Sequence, residues 1–270
     1  MIPRYVGNAK REWRVGETTD DTERTVAVAR AILKHGTVEH TAVGRELLEC
    51  VKCIHPGLRS LWEFHQAGDP ARVTDRHDGC GAAIRMAPVG ILYRSDRLND
   101  IVAGAREASI STHGGPLALG GAAAVAAAIS AAIDERSPSE IVAIAEHAAA
   151  QAEHERSGTR KLADALGAVH ADLARSTDLG PDDLAAHHFP ADPLTIVPLA
   201  IALGTVCHSA DAAILLAANI GGDSDSVASI AGAILGARHP QTVNDEWYAI
   251  VEEINAHNLA QFALDLSQLR

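Results

Sequence analysis

Apolar positions along this chain recur at spacings of three and four rather than in strict alternation, and they fall into runs parted by short breaks. Such spacing gathers apolar side chains on one face of a helix. The first predicted helix covers residues 22–33 and stops at Gly36. A second covers 38–53, with Val43, Leu47 and Val51 at spacing four, and ends before Pro56. Helices resume over 95–109 and 116–133. Ser137, Pro138 and Glu140 then make a strong start signal, with Ser at the N-cap, Pro at N1 and Glu at N3. That helix should reach residue 154, and Gly158-Thr159 separates it from another ending near 174. Further helices are predicted over 194–206, 211–218, 226–236 and 247–269. Two stretches break the pattern: 68–90, which carries HDGCGAAIRMAPVG, and the proline-rich STDLGPDDLAAHHFPADP of 176–193. The breaks are short and no period repeats, so one compact all-α, multi-helix domain over 1–270 is expected.

Composition sharpens this picture. Apolar residues make up 47% of the 270 positions but aromatics only 3%, so Ala, Val, Leu and Ile must fill the core. Alanine is also the strongest helix former. A net charge of −12 disfavours binding to a nucleic-acid backbone, which needs Lys and Arg against phosphate. It leaves room for a small phosphorylated ligand, and it suits a protein that gathers carboxylates around divalent cations. The four cysteines (Cys50, Cys53, Cys80, Cys207) are too sparse for a disulfide framework. Cys50 and Cys53 form a C-x-x-C with no second pair to complete a zinc site; two small apolar residues on a helix face is the plainer reading beside a redox motif. The opening MIPRYVGNAKREWR lacks the apolar run of a secretory signal. The longest uncharged apolar run, 117–133, is rich in Gly and Ala and falls short of the ~20 residues a spanning helix needs. A cytoplasmic protein without membrane association is expected.

Two acidic clusters are the candidates for chemistry. Thr19, Asp20 and Asp21 stand just before the first predicted helix. Some two hundred residues later Asp223, Asp225 and Ser226, in GGDSDS, again stand just before a helix. Each cluster offers two carboxylates and a hydroxyl at a helix start. In a non-helical turn before the helix, neighbouring carboxylates can converge. If the two turns meet, four carboxylates face one another, and cations or protons must compensate them. Two Mg²⁺ would balance the charge, and hard oxygen ligands with room for water suit that ion. The plainer alternative is that both clusters are N-caps favoured by the helix dipole. Taken singly, either cluster reads well as a cap; taken together, they favour metal.

The chain resembles the ADP-ribosylglycohydrolase superfamily, an all-α family with a binuclear magnesium site. That family includes hydrolases which release ADP-ribose from modified dinitrogenase reductase. Four segments carry the likeness in order: GETTDDTE, GCGAAIRMAPVG, STHGGPLALGGAAAVAAAI and GGDSDSVASIAGAILGA. Trp247 and a closing helix with Asn255 are similar too. The resemblance implies metal ligation by Thr19, Asp20, Asp21, Asp223, Asp225 and Ser226, through two Mg²⁺ for which Mn²⁺ could substitute. It implies that Gly79, Cys80 and Gly81 line ribose and phosphate, and that His113 approaches the phosphates or the distal ribose. Without it, His113 reads as a helix-start or core histidine, and Arg85 as either a loop-orienting residue or half of a surface pair.

The implied reaction is hydrolysis at C1 of a ribose, releasing ADP-ribose from a modified protein or small acceptor, with Asp20 or Asp21 as base. Two other readings stand beside it: hydrolysis of nucleosides or other small ribosylated metabolites, and ADP-ribose binding without turnover. Three departures from the family pattern bear on them. The usual N-terminal Gly-Asp-Ala-x-Gly-like segment over the site has no match in the fifteen residues before Gly16, so its absence is expected. Gly115 stands where many members have a second His, and Cys80 where many have Asn.

Overall fold

The computed structural model describes residues 14–50, 77–176 and 179–270. Among these there is no strand. The helices are α1 (Asp20–His35), α2 (His40–Glu49), α3 (Ala87–Leu92), α4 (Leu98–Ser109), α5 (Pro116–Ile133), α6 (Pro138–Ser157) and α7 (Lys161–Leu173). After them come α8 (Pro181–His187), α9 (Pro193–Val206), α10 (Ala210–Ala218), α11 (Ser224–Arg238), α12 (Asp245–Asn255) and α13 (Leu259–Ser267). A 3₁₀ helix, Cys80–Arg85, precedes α3, and a shorter one, Pro240–Thr242, follows α11.

The molecule is built around α5. Its side chains are buried on every face from Ala118 to Ala132, and α3, α4, α6, α7, α9, α11 and the Cys80–Arg85 helix all pack against it. Six alanines in this helix, Ala122–Ala124 and Ala126–Ala128, have no exposed surface at all. Small side chains let the surrounding helices approach closely, which is how a core with few aromatics reaches interior packing density. By length and apolarity α5 could cross a membrane, but 83% of it is buried inside the molecule, as a core helix is.

Several sequence signals appear as written. Ser137 and Glu140 form a complete capping box at the start of α6, and Gly158 ends that helix in the left-handed conformation. Asp192 and Thr195 do the same for α9, an N-terminus the proline pattern placed one residue late. Other boundaries shift. The 68–90 stretch, expected to be irregular, contains the 3₁₀ helix and α3 from residue 80 onward. The 176–193 loop holds α8, with Pro181 at its first position. Helix α2 closes at Cys50; the rest of the predicted segment, with Cys53, lies outside the described residues, as do residues 1–13.

The single helix predicted over 247–269 is two. Ala256 and Asn258 take positive φ (52° and 63°) and turn the chain between α12 and α13. Residues with a Cβ rarely adopt this conformation without tertiary support, and that support comes from contacts to Gly16, Thr18 and Glu23, which flank the first acidic cluster.

The C-terminal Arg270 reaches into the core side of α3 and α5. Its guanidinium donates to the carbonyls of Gly90, Ile91 and Tyr93 (2.9, 2.7 and 2.7 Å) and to Asp134 Oδ1 (2.9 Å). Asp134 also accepts from the Ser95 N–H and hydroxyl. Burial by itself would raise the Asp134 pKa, but the Ser95 and Arg270 hydrogen bonds outweigh it and hold the group at about 2. A carboxyl whose folded pKa lies below its unfolded value stabilises the fold above the unfolded value. That contribution is lost as pH falls through the folded one. Asp134→Asn is therefore expected to cost about 2–4 kcal/mol near neutral pH, and its deficit relative to the parent protein should shrink in urea titrations run at successively lower pH towards 2. A deficit that ignores pH would refute the assignment.

Candidate functional site

The two acidic clusters lie at the facing N-termini of α1 and α11, which pack on each other and on the Cys80–Arg85 helix, with α11 also against α5. Helix α1 begins at Asp20, two residues earlier than the apolar pattern indicates. Thr19 is its N-cap, with no side-chain bond to the helix amides; its hydroxyl donates instead to Asp21 Oδ2 at 3.2 Å. Asp20 and Asp21 thus sit inside the first turn, where successive side chains point about 100° apart. The convergence expected of a non-helical turn does not occur. Asp20 turns outward, 40% exposed, and pairs with Arg24 Nη2 at 2.7 Å one turn on. Asp21 turns inward and is 5% exposed.

Two glycines set the second cluster. Gly221 and Gly222 take φ of +87° and +64°, and a Cβ on Gly222 would lie 2.4 Å from the Pro190 carbonyl. Only glycine fits such a turn. The Pro190 carbonyl also accepts the Asp223 N–H at 2.9 Å, fixing where α11 starts. Asp223 is the N-cap of α11 but does not cap it by its side chain. Its Oδ1 accepts from Ser226 Oγ at 3.0 Å and its Oδ2 from the Cys80 thiol at 3.0 Å. So the glycine loop Gly79-Cys80-Gly81, the second acidic cluster and the first are one site.

The electrostatics show how closely the acids crowd. Burial, then the charges of Asp225, Asp20 and Asp223, push Asp21 up to about 7, against a lesser lowering by the Thr19 hydroxyl. Its Oδ1 is buried with no hydrogen-bond partner. Burial and Asp223 push Asp225 up to about 6. The Cys80 thiol is raised by burial and by Asp223, which keeps it protonated as a donor. No three of the described His, Cys, Asp and Glu side chains converge as a finished metal cage. Asp20 and Asp223 have instead taken protein partners. Among the described residues, Asp21 Oδ1 is the one buried carboxylate oxygen left with none, and a buried carboxylate oxygen facing other carboxylates is what a divalent cation satisfies.

Arg85 ties the Cys80–Arg85 helix to the C-terminal end of α4. It is 1% exposed and donates to the Ala108 carbonyl from Nε and Nη2 (3.1 and 2.8 Å), to the Ser109 carbonyl (3.3 Å) and to Thr112 Oγ1 (2.7 Å). Arg85 is no surface pair: it serves backbone carbonyls, those of Ala108 and Ser109 at the end of α4 rather than those of the Gly79–Gly81 loop. Thr112 Oγ1 in turn meets His113 Nδ1 at 2.7 Å. His113 is buried beside the glycine loop, 3.7 Å from where a Gly79 Cβ would stand. Burial, then Arg85 and Arg24, hold its pKa well below the usual value, so the ring is neutral. Gly81 faces His113 and Arg24 together: a Cβ there would come within 2.7 Å of Arg24 Nη1 and 3.0 Å of the His113 ring.

Two groups at the site, Arg24 and Thr18, escaped the sequence reading. Arg24 was legible only as an i,i+4 partner of Asp20. Thr18 is buried, and its hydroxyl lies 2.8 Å from Glu23 Oε1, 3.0 Å from Asn255 Oδ1 and 3.2 Å from His257 Nε2. Asn255 also donates to the Gly16 carbonyl at 2.7 Å. The turn between α12 and α13 therefore clamps the residues that lead into Asp20 and Asp21, which explains the positive φ values there.

Comparison with known proteins places this arrangement. An ADP-ribosylglycohydrolase family model matches residues 2–270. The uncharacterized protein YegU of Escherichia coli (strain K12) is 30% identical over 273 residues, covering 94% of this chain and 80% of that protein. An uncharacterized protein of Archaeoglobus fulgidus is 31% identical over 229 residues, covering 83% and 72%. A solved structure described as an "ADP-ribosylglycohydrolase-related protein complex" has a TM-score of 0.72 at 20% identity, covering 94% of this chain and 82% of that one. At that identity the last likeness speaks for the fold. With a family match over nearly its whole length, the chain belongs to the ADP-ribosylglycohydrolase family and is a glycoside hydrolase.

Proposed function

We propose that this protein hydrolyses the bond at the anomeric carbon of a ribose, releasing ADP-ribose from a modified protein or small acceptor, and that it does so with magnesium. Thr19, Asp21, Asp223, Asp225 and Ser226 would hold the cation, with Asp20 beside them. The observation that carries this reading is Asp21 Oδ1, a buried carboxylate oxygen without a partner among like charges. A divalent cation supplies the missing positive charge and polarises water and sugar hydroxyls.

The remaining roles follow from the chain itself. Asp21, rather than the ion-paired Asp20, is the group to accept the proton of the attacking water. The negative field of Asp21, Asp223 and Asp225 favours the positive charge that develops on the sugar as its bond to the leaving group breaks. His113, neutral and held through Thr112 by Arg85, offers a hydrogen bond to the ligand over Gly79 and Gly81, which leave the loop backbone open to close approach.

Chelation tests the reading. Protein stripped with EDTA should release no ADP-ribose from an ADP-ribosylated protein, and added Mg²⁺ or Mn²⁺ should restore release. Turnover that survives stripping would remove the divalent cation from the reaction.

A further inference from the structure

We propose that Cys80 is a thiol ligand at the acidic site, through which the protein takes up a thiophilic divalent ion such as Zn²⁺ in competition with magnesium. This rests on the proposed metal reading and extends it to a side chain which that reading does not use.

The thiol is built into the site. Cys80 opens the Cys80–Arg85 helix, and its Sγ donates to Asp223 Oδ2 at 3.0 Å, with Ser226 Oγ 3.9 Å away. Ser226 donates in turn to the other oxygen of Asp223 at 3.0 Å. In the same cluster Asp21, 5% exposed, keeps Oδ1 without a partner among the charges of Asp225, Asp20 and Asp223. Sulfur and carboxylate oxygens thus border one unmet demand for positive charge. Cys207 is the contrast. It too is half-buried, but the charge that bears on it is the Arg238 guanidinium, which would repel a cation.

The spacing fits a shared ion. A sulfur about 2.3 Å and an oxygen about 2.1 Å from a tetrahedral zinc stand about 3.6 Å apart. The present contact is a hydrogen bond, held shorter than that by the thiol proton. An ion entering between the two atoms takes the place of this proton, which passes to solvent, since a coordinating thiol deprotonates outright. Thiolate and carboxylate then need to part by only about 0.6 Å. Oxygen ligands alone suit Mg²⁺ and Mn²⁺, whereas a thiolate among them favours zinc.

Co²⁺, which reports thiolate ligands optically, is the probe. Metal-stripped protein titrated with Co²⁺ should develop a near-ultraviolet sulfur-to-cobalt charge-transfer band that excess Zn²⁺ and excess Mg²⁺ both abolish. A thiol site elsewhere in the chain would not answer to Mg²⁺. Cys80→Ser, which keeps a hydroxyl donor for Asp223, should lack the Mg²⁺-sensitive band and bind Zn²⁺ at least about tenfold more weakly. Its affinity for Mn²⁺, read by electron paramagnetic resonance of the free ion, should match the parent's. Circular dichroism melts of the metal-stripped proteins confirm that the variant is folded. A parent protein that binds Mn²⁺ but shows no Mg²⁺-sensitive cobalt band overturns the inference and leaves the metal reading intact. So does a Cys80→Ser protein that keeps the band, keeps the parent's Zn²⁺ affinity, or loses Mn²⁺ and Zn²⁺ alike. Neither Co²⁺ nor Mn²⁺ bound to the parent overturns both.

Discussion

Replacing Asp21 by asparagine is expected to lower hydrolysis by about three orders of magnitude and yet to raise the melting temperature of the metal-free protein. The loss of activity follows from removing the carboxylate proposed to take the proton from water. The gain in stability follows from the same group's surroundings. A carboxyl whose folded pKa is lifted from 3.8 to about 7 binds a proton in the folded state over a range where the unfolded chain does not. Stability conferred by that proton is lost as pH rises from the unfolded value through the folded one, to the extent of about 4 kcal/mol. Asparagine keeps the shape and carries no charge, so the variant should lack this slope. Thermal melts of metal-free protein at pH 5 and pH 8 read the effect directly. A variant that keeps full turnover removes Asp21 from the chemistry. One that melts with the parent's pH dependence removes the crowding of charges as its cause.

Arg85→Ala should be the most damaging substitution for the fold near the site. It would leave the carbonyls of Ala108 and Ser109 and the Thr112 hydroxyl without the buried guanidinium that serves them, and would open a void under the Cys80–Arg85 helix. Losing such a group costs about 3–5 kcal/mol, or a fall of about 10 °C in melting temperature for a chain of this size. Lysine should not rescue it, because two nitrogens of one planar fork converge on the Ala108 carbonyl. An Arg85→Lys protein with the parent's melting temperature would show that only the charge matters.

What the sequence made legible is where local chemistry decides. Ser137-Pro138 and Glu140 specify a helix start by hydrogen bonds within four residues, and α6 begins there. Pro116 to Ile133 has an apolar residue at nearly every position with a proline at its start, so both ends of α5 could be placed. At α1 the same reasoning falls short, because aspartate suits the N-cap and the first turn about equally. Nothing local separates Thr19, Asp20 and Asp21 as starting points, and the side on which each carboxylate falls depends on that choice. The break at residues 256–258 was illegible for another reason. Its left-handed residues are Ala256 and Asn258, not glycine, and the bonds from Asn255 and His257 that hold them there reach back more than 230 residues to Gly16 and Thr18. The acidic half of the candidate site could be singled out from residue type, with helix caps as the alternative. Its basic half could not, since Arg24 beside Asp20 looks like any exposed helix pair until the glycine loop is seen to cover it.

The alanines at the centre of α5 alter what mutation can do to this protein. In a core of leucines most substitutions carve holes, and the structure sags into them. Here the central side chains are a single methyl group and cannot be trimmed to any effect, while almost any replacement adds atoms where neighbouring helices leave no slack. Each overfilled position costs about 1–3 kcal/mol. A saturation mutagenesis survey should therefore find α5 intolerant of large apolar residues as much as of polar ones, a pattern in which hydrophobicity predicts nothing and volume predicts nearly everything.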